Sequence, residues 1–569
     1  MFLRRKSQLL NRRRKATGDI TPDNIFLDSK NLPQFDEDQF EGRIEKSITK
    51  NVGNLVGIFF TLIMLAYLLK IGNLQIVKGV DFLNKSENNH LQHSAIFSER
   101  GIIYDRNGKE LAFNSPYREV GQDFFKREYA DYKGLAHIIG HVSYPLKDKS
   151  GNYYQDECVG KVGVEKFFND RLSGKKGLKI IEKDALLDII SESVIQPTEK
   201  GQSITLSVDI DVQNALYNFI FDLKEKIGFK GGAGVLMDVE NGEIIALVSC
   251  PEYDLDVLSN GKDNNEVAKY VLAKDEPFVN RVTTGLYTPG SIVKPFLAIA
   301  ALNESIISPE KKILSTGSIS IPNPYFPDKE TVFNDWKVHG WVDMRDAIAV
   351  SSDVYFYEIG GGYQGQVGLG IDKINEYIKM FGFSEETGIE GFTEERGTIP
   401  NPKWKAKMFN GEDWTIGDTY HTAIGQYGFQ VTPLQVVRGI GAIANGGKLF
   451  RPTIMKKENN NSYEIVPISD DYFEVAREGM RQAVLDGTGK GLWLSFVDVS
   501  AKTGTAEVGT TKTNVNSWVV GFFPSDKPRF AFTIMMEKGP YDNQIGGLYV
   551  MRELLEWMKE NKPEYLEEQ

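Results

Sequence analysis

The most informative part of this chain is the stretch Tyr287-Thr288-Pro289-Gly290-Ser291-Ile292-Val293-Lys294. Pro289-Gly290 followed by an apolar run indicates a turn that leads into a helix. Residues three apart on a helix lie on one face, with Cβ atoms roughly 5–6 Å apart, so the Lys294 amine can reach the Ser291 hydroxyl. Serine becomes a good nucleophile when a neighbouring group takes its proton, and a buried lysine can do this. The stretch therefore predicts a serine nucleophile that carries its own base.

A Ser-x-x-Lys pattern alone is weak evidence, because Ser291 could equally be a helix N-cap and Lys294 a solvated side chain. Two further motifs follow. Ser351-Ser352-Asp353 begins 60 residues after Ser291, and Lys502-Thr503-Gly504-Thr505 begins 151 residues after Ser351. This order is the signature of penicillin-binding proteins and class A β-lactamases, although Asp353 stands where asparagine is commoner. The co-occurrence favours an active site over three unrelated turns, caps and strand ends.

Further segments resemble one family, the class B penicillin-binding proteins, which are monofunctional peptidoglycan DD-transpeptidases. Residues 100–108 and 160–166 resemble signatures of the family's N-terminal pedestal domain. Residues 351–357 are closer to the penicillin-binding protein 2 branch, which acts in cell elongation, than to the division branch. One departure is visible: residues 516–519 read Asn-Ser-Trp-Val where the family often has His-Ala-Trp-Phe. In the catalytic half the resemblance also covers residues 232–238, 241–243, 424–426 and 432–435.

Charge and hydropathy predict a membrane anchor near the N-terminus. The chain has 569 residues and a net charge of −12, but its first 15 residues carry seven basic side chains and no acidic one. Residues 52–69 form an uncharged run of 18, just long enough to span a bilayer. The positive-inside rule then predicts a single pass through the cytoplasmic membrane, with the N-terminus in the cytoplasm and the catalytic part outside. The apolar run argues against nucleic-acid binding by the basic tail.

Two other interpretations of the apolar run are weaker. A cleavable signal peptide would begin earlier in the chain and would be followed by a small-residue cleavage motif, which residues 70–74 lack. A buried core helix would have a polar face, and residues 58–69 contain only Thr61 and Tyr67 as polar interruptions.

No disulfide, metal or cofactor is predicted. Cys158 and Cys250 are far apart in the sequence and are expected to be structural thiols. His137 and His141 have the spacing of metal ligands on a helix, but Gly140 lies between them and no third ligand is close in sequence.

The landmarks divide the chain into a cytoplasmic tail (1–50), a transmembrane anchor (51–72), a pedestal or dimerisation domain (73–205) and a transpeptidase domain (206–569). Strands are predicted at residues 233–239 and 243–249, joined by a two-residue hairpin at Asn241-Gly242. Residues 496–503, 517–523 and 530–536 predict three more strands, and residues 551–561 an amphipathic helix. The expected fold is α/β (α+β). The resemblance implies a penicillin-binding/serine β-lactamase-like transpeptidase domain with a five-stranded antiparallel sheet flanked by helices, beside an elongated pedestal.

The resemblance also implies the chemistry. Ser291 would attack the penultimate carbonyl of a D-alanyl-D-alanine stem peptide with Lys294 as base, and D-alanine would leave. An amine of a neighbouring stem would then attack the acyl-enzyme and complete a cross-link. Ser351 would relay a proton to the leaving amine, and Asp353 would orient Lys294 or the substrate amide.

The third motif is expected to bind the substrate. Lys502, Thr503 and Thr505 would hold the substrate carboxylate, and Gly504 would permit close approach of the backbone. By the same resemblance, the backbone N–H groups of Ser291 and Thr505 would form the oxyanion hole.

The expected partners are peptidoglycan stem peptides, β-lactams, the cytoplasmic membrane and a polytopic SEDS-type glycosyltransferase. A DD-carboxypeptidase or a class D-like β-lactamase would deliver the acyl group to water, and the pedestal and the anchor argue against both. A β-lactam sensor should carry a His-Glu-x-x-His zinc-protease motif, which this sequence lacks. A non-catalytic scaffold that activates a glycosyltransferase stays compatible with the sequence and could coexist with catalysis.

Overall fold

The computed structural model describes residues 50–115, 123–149, 153–183, 189–261, 263–323, 326, 328–457, 462–509, 513–543 and 545–567. The chain forms two compact units, Met1–His90 and Leu91–Gln569. The predicted cytoplasmic tail lies outside the described residues, apart from Lys50. Residues 73–90 of the predicted pedestal fall in the first unit, and its remainder falls in the second unit together with the transpeptidase domain. The predicted domain boundaries, including that between residues 205 and 206, stay predictions.

The predicted anchor is helical in the first unit. The α-helix Lys50–Gly72 continues through a π-helical turn, Asn73–Val77, and is followed by the helix Gly79–His90. None of the side chains in the first helix is buried. Lys50–Val77 is long and apolar enough to cross a membrane. A helix that is apolar all round and uncovered by protein needs an apolar surrounding, which lipid tails would provide.

The second unit contains the expected five-stranded antiparallel sheet. The two strands of the first hairpin lie at one side of the sheet. The strand that contains the Lys-Thr-Gly motif forms the opposite edge. The strands, in spatial order, are Ile244–Cys250, Gly231–Asp238, Phe530–Pro540, Asn514–Phe523 and Ser500–Val508.

Two details of the predicted sheet are wrong. The first hairpin is closed by residues 239–243 rather than by two residues, with Gly242 at φ +75°. The strand predicted at residues 496–503 begins at Ser500, not at residue 496. Val497 and Val499 are buried, which produced the strand-like apolar pattern, but their backbone lies outside the ladder. Burial of side chains thus imitated a strand where hydrogen-bond pairing is absent.

Helices cover both faces of this sheet. Ile210–Ile227 and Gly547–Asn561 share a hydrophobic core with one face. Lys294–Asn303, Pro433–Ala444 and Asp470–Leu485 share a core with the other face. Further α-helices of the catalytic half are Leu255–Asn260, Asn264–Leu272, Met344–Val350, Asp353–Gly361, Gly370–Met380, Pro402–Met408 and Ile416–Ala423. Three two-stranded ribbons pair Ile313–Ser315 with Gly340–Val342, Ser318–Pro322 with Glu330–Asn334, and Lys448–Phe450 with Tyr463–Ile465.

Small sheets and short helices make up the N-terminal part of the second unit. A four-stranded sheet has the spatial order Ile204–Thr205, Ile103–Tyr104, Glu110–Asn114 and Arg127–Tyr129. A three-stranded sheet joins Leu91–Ile96, Gly177–Lys183 and Ile189–Gln196. Two short pairs join Val142–Ser143 with Val159–Gly160 and Leu146–Lys147 with Tyr153–Gln155, and the helices are Ala136–Ile139, Gly163–Phe167 and Asn169–Leu172.

The two pedestal motifs are joined by a buried ion-pair triad. The Glu165 carboxylate accepts from Arg100 Nε at 2.5 Å and from Arg127 Nε at 2.7 Å. All three side chains are at most 4% exposed. Charges removed from water in this way are tolerated only when they are paired, so each motif needs the other.

The first pedestal motif also contacts the start of the catalytic half. Asp209 caps the helix Ile210–Ile227 by accepting from the backbone N–H of Asp211. Its carboxylate also accepts from Asn107 Nδ2 at 2.9 Å, and from Lys562 Nζ and the Tyr565 hydroxyl at 3.0 Å. Three distant parts of the chain therefore converge on one buried carboxylate.

We expect Glu165→Gln to destabilise the second unit by about 3 kcal/mol or more, because it leaves two buried guanidinium groups without a counter-charge. Denaturant unfolding of the full chain in detergent measures the loss. The matched control is Glu199→Gln, which breaks an exposed pair with Lys175 and should change stability by less than about 1 kcal/mol. Equal effects of the two substitutions would contradict the structural role of the triad.

Candidate active site

The nucleophile turn is built as the sequence predicts, by a glycine and a short helical entry. Gly290 has φ +60° and begins a 3₁₀ turn, Gly290–Val293, which leads into the α-helix Lys294–Asn303. A Cβ atom at Gly290 would lie 3.0 Å from the carbonyl oxygen of Thr505, so this close approach requires glycine. Its N–H donates to the carbonyl of Gly425 at 2.9 Å. The turn is thus fixed between the edge strand, at Thr505, and the loop that contains Gly425.

The second motif lies between two helices. Ser351 ends the helix Met344–Val350 in the left-handed conformation, with φ 60° and ψ 43°. Ser352 then caps the helix Asp353–Gly361 by accepting from the N–H of Tyr355. Left-handed backbone is uncommon for a residue with a side chain and marks a position that its surroundings hold in place.

The two lysines of the first and third motifs converge on the second motif. Lys294 Nζ donates to Asp353 Oδ1 at 2.6 Å, to the carbonyl oxygen of Ser351 at 2.9 Å and to Ser351 Oγ at 3.2 Å. Lys502 Nζ donates to Ser351 Oγ at 2.8 Å and to the carbonyl oxygen of Thr503 at 2.8 Å. Both lysines are completely buried. The Ser351 hydroxyl therefore lies between two amines.

Ser291 is only partly buried, one helical turn before Lys294. Among the hydrogen bonds that the structure gives for its described residues, none joins Ser291 Oγ to Lys294 Nζ. The sequence correctly placed the two residues on one helical entry, but it did not show that the second motif occupies the Lys294 amine.

Burial and the neighbouring Lys294 ammonium hold the pKa of Lys502 well below its usual range, while Asp353 opposes the shift. Desolvation penalises the charged form of an amine, and a like charge nearby adds to the effect. These effects favour the neutral form of the Lys502 amine. A neutral amine beside Ser351 Oγ can accept a hydrogen bond as well as donate one.

The third motif forms the wall opposite the nucleophile turn. Gly504 faces the turn so closely that a Cβ atom would lie 3.0 Å from the Pro289 carbonyl oxygen and 2.8 Å from a methyl group of Ile292. The predicted need for glycine here agrees with this contact. Thr503 Oγ1 donates to Thr488 Oγ1 at 2.7 Å, and Thr505 is exposed. Thr505 is therefore accessible to solvent beside the nucleophile turn.

Several residues that contribute to the site lie outside the three motifs. Asp335 and Trp336 contact the second motif from behind, Thr488 contacts Thr503, and Trp518 Nε1 donates to the Thr288 carbonyl at 3.0 Å. Trp518 lies in the segment where the sequence departs from the family pattern, so that segment still supports the nucleophile turn. His339 Nε2 lies 3.5 Å from Asp335 Oδ1, and burial lowers the pKa of this imidazole.

The comparisons with known proteins agree with this geometry. A model of the penicillin-binding protein transpeptidase domain matches residues 232–556, and a model of the penicillin-binding protein dimerisation domain matches residues 121–206. The chain is 30% identical over 499 residues to the peptidoglycan D,D-transpeptidase MrdA of Haemophilus influenzae, which covers 79% of this chain and 73% of that protein.

Two solved structures are also similar. Penicillin-binding protein 2 (PBP2) of Helicobacter pylori, in complex with MreC, superposes with a TM-score of 0.69 at 27% identity, covering 83% of this chain and 100% of that chain. PBP2 of Pseudomonas aeruginosa, in complex with WCK 5153, gives a TM-score of 0.64 at 28% identity, covering 82% of this chain and 96% of that chain.

A transpeptidase-domain match over more than half of the chain, together with three motifs that meet at the Ser351 hydroxyl, is decisive: the chain belongs to the penicillin-binding protein transpeptidase family. Its similarity to MrdA and PBP2 proteins places it in class B, in the penicillin-binding protein 2 branch that acts in elongation.

The lowered pKa of Lys502 predicts a pH-dependent stability. Between the folded pKa and the ordinary value of 10.5, the unfolded chain binds a proton that folded Lys502 does not, so folding stability rises with pH in this window. Lys502→Met removes the titratable amine but keeps an unbranched side chain of similar length. We expect the stability of the wild type relative to Lys502→Met to rise by up to about 1.4 kcal/mol per pH unit. Denaturant unfolding at several pH values above neutrality measures this slope, and parallel curves would contradict it.

Proposed function

We propose that this protein is a serine D-Ala-D-Ala transpeptidase that cross-links peptidoglycan stem peptides during cell elongation. The observation that carries the proposal is the convergence of Lys294, Ser351 and Lys502 beside the Ser291 turn, at the edge of the five-stranded sheet. The relative from Haemophilus influenzae is named a peptidoglycan D,D-transpeptidase, which supports the same reaction.

In the first half-reaction, Ser291 Oγ attacks the penultimate carbonyl carbon of the donor stem, and its proton passes to Lys294. The attack needs Lys294 in its neutral form. Ser351 Oγ, at 3.2 Å from Lys294 and 2.8 Å from Lys502, connects the two amines, so a proton can pass from Lys294 to Lys502. Asp353, at 2.6 Å from Lys294, keeps the base in place.

The tetrahedral intermediate collapses when the bond between carbon and the leaving amine breaks. Ser351 relays a proton to that amine, D-alanine departs, and an ester to Ser291 remains. In the second half-reaction, an amine of a neighbouring stem attacks the ester, and the serine recovers its proton. The energy of the first peptide bond is kept in the ester, so the cross-link forms without a nucleotide cofactor.

The edge strand would orient the donor. Lys502, Thr503 and Thr505 hold the terminal carboxylate, with the exposed Thr505 hydroxyl at the mouth of the cleft. The backbone N–H groups of Ser291 and Thr505 are assigned to the oxyanion hole. The close approach of Gly290 to Thr505 supports this assignment. β-Lactams would acylate Ser291 because their strained amide occupies the position of the scissile bond.

The proposal extends to location and partners. A single anchor with the N-terminus in the cytoplasm would place residues from about 73 onward outside the membrane, where the cross-linked polymer lies. We also propose a polytopic SEDS-type glycosyltransferase as a partner, contacted through the anchor and the pedestal. The Helicobacter pylori relative was solved as a complex with MreC, which supports assembly into a larger complex.

Ser291→Ala should abolish the covalent penicillin adduct and lower turnover by on the order of 10⁴-fold or more, because no other residue supplies the ester oxygen. Mass spectrometry of the intact chain after exposure to penicillin, followed by peptide mapping, locates the adduct. Thr488→Ala is a useful comparison, since it loses a contact of Thr503 but should keep the adduct on Ser291. An adduct on Ser351 or Ser352 in the wild type would reverse the assignment of the nucleophile.

Product analysis separates the alternatives. A wild type that is acylated but releases only hydrolysed stem peptide would be a carboxypeptidase or a β-lactamase-like enzyme. Normal growth supported by Ser291→Ala would favour a non-catalytic scaffold that activates a glycosyltransferase.

Protease added to intact spheroplasts should digest the part that contains Ser291 and spare a tag placed at the N-terminus. The reason is the seven basic residues before the apolar helix, which are retained on the cytoplasmic side. Immunoblotting against the tag and against the catalytic part shows which of the two was digested. Protection of the catalytic part in sealed cells, with digestion after lysis, would contradict both the topology and the proposed reaction.

A further inference from the structure

Asp335 is a buried carboxylate directly behind the second motif. It follows the ribbon strand Glu330–Asn334, and its side chain is 0% exposed. Oδ2 accepts from Ser352 Oγ at 2.9 Å, from the N–H of Val354 at 3.0 Å and from Ser315 Oγ at 3.2 Å. A carboxylate that receives three hydrogen bonds on one oxygen is held firmly by its surroundings.

The other carboxylate oxygen fixes Asp335 to its own segment. Oδ1 accepts from the N–H of Trp336 at 2.8 Å and lies 3.5 Å from His339 Nε2. Trp336 in turn donates from Nε1 to the carbonyl oxygen of Ser351 at 3.2 Å. The Asp335-Trp336 pair therefore contacts three residues of the motif region: Ser351, Ser352 and Val354.

These contacts alternate with the residues that face the cleft. Ser351 and Asp353 direct their side chains to Lys294, while the hydroxyl of Ser352 and the N–H of Val354 point to Asp335. Ser351 has a left-handed backbone, which a residue with a side chain keeps only when its surroundings hold it there. Asp335 supplies such a hold on the side away from the substrate.

We propose that Asp335 is a positioning residue for transpeptidation, which clamps the Ser351–Asp353 turn so that Ser351 Oγ stays between the two lysine amines. The inference rests on the proposed function, because it assigns Asp335 to the proton path of that reaction. The carboxylate of Asp335 is fully buried, so it does not touch substrate. Its effect reaches the chemistry through Ser352 and Val354, so it governs the acylation step and leaves the initial binding of the substrate unchanged.

The decisive variant is Asp335→Asn, which keeps the shape but replaces one acceptor oxygen by an N–H₂ donor. The N–H of Val354 donates to Oδ2 and the N–H of Trp336 donates to Oδ1, so whichever oxygen is replaced by the N–H₂ group, one backbone N–H then meets another donor. We expect the acylation rate constant for a chromogenic β-lactam to fall about 10- to 100-fold, the effect of a displacement of about 1 Å at a catalytic group. The dissociation constant of the non-covalent complex should stay within about twofold of the wild type.

Glu330→Gln is the matched control. It removes one carboxylate charge from the same ribbon, where Glu330 accepts from Ser320 Oγ on the exposed side. It should leave the acylation rate constant unchanged. Stopped-flow acylation of the detergent-solubilised full chain measures both constants for the wild type and each variant.

Ser352→Ala provides a second route, because it removes the hydroxyl that Asp335 holds. If both residues act through one clamp, the double variant should be slowed little more than either single variant, which is strong non-additivity. Amide hydrogen exchange of residues 352–356 gives a readout that needs no activity. It should accelerate in Asp335→Asn and Ser352→Ala but not in Glu330→Gln.

Three results would overturn the clamp: acylation by Asp335→Asn within about twofold of the wild type, a loss that falls on the dissociation constant instead of the rate constant, or additive effects of the two substitutions. Unchanged exchange of residues 352–356 in a folded Asp335→Asn would also overturn it. A wild type without an adduct on Ser291 contradicts the proposed function itself, and the exchange comparison still decides whether Asp335 holds the turn.

Discussion

Two completely buried amines share one hydroxyl in this protein, and the arrangement of the catalytic half depends on that constraint. Lys294 and Lys502 both contact Ser351 Oγ, and one carboxylate, Asp353, lies within hydrogen-bond distance of Lys294. Amines cannot be removed from water unless hydrogen bonds and opposite charge compensate them. The nucleophile helix, the junction of two helices and the edge strand must therefore meet at one point, although their motifs lie far apart in the sequence.

The sheet and the glycines make this meeting possible. Gly504 and Gly290 let the edge strand and the nucleophile turn approach closer than side chains would permit. Behind them, the five strands and their two helical layers form a rigid base, which suits a site that depends on distances near 3 Å. The carboxylate of Asp209 ties this base to the first pedestal motif and to the C-terminal Lys562. The position of the pedestal is thus connected to the helix that supports the sheet.

The sequence was sufficient for features that local pattern or motif order determines. The strands around Val235 and Val519 followed from apolar runs, and the nucleophile turn followed from Pro289-Gly290. It was insufficient where a side chain is buried although its backbone does not pair in the sheet. Val497 is such a residue: its apolar side chain is buried, but its backbone lies outside the strand. Asp335 was missed for another reason. An aspartate in a loop has no periodicity, and its importance comes from contacts with Ser352 and Val354 that only the folded chain creates.

Asp353 in place of the commoner asparagine changes the charge of the site. With two amines and a neutral amide, either both amines would be neutral or an uncompensated ammonium would be buried. With Asp353, the negative charge of one carboxylate balances the positive charge of one ammonium, and the second amine can stay neutral. The lowered pKa of Lys502 fits the role of this neutral amine. In the proposed reaction, a neutral Lys502 could take a proton from Lys294 through Ser351 Oγ, which contacts both amines. The aspartate therefore supplies a compensating negative charge beside Lys294 as well as a hydrogen bond.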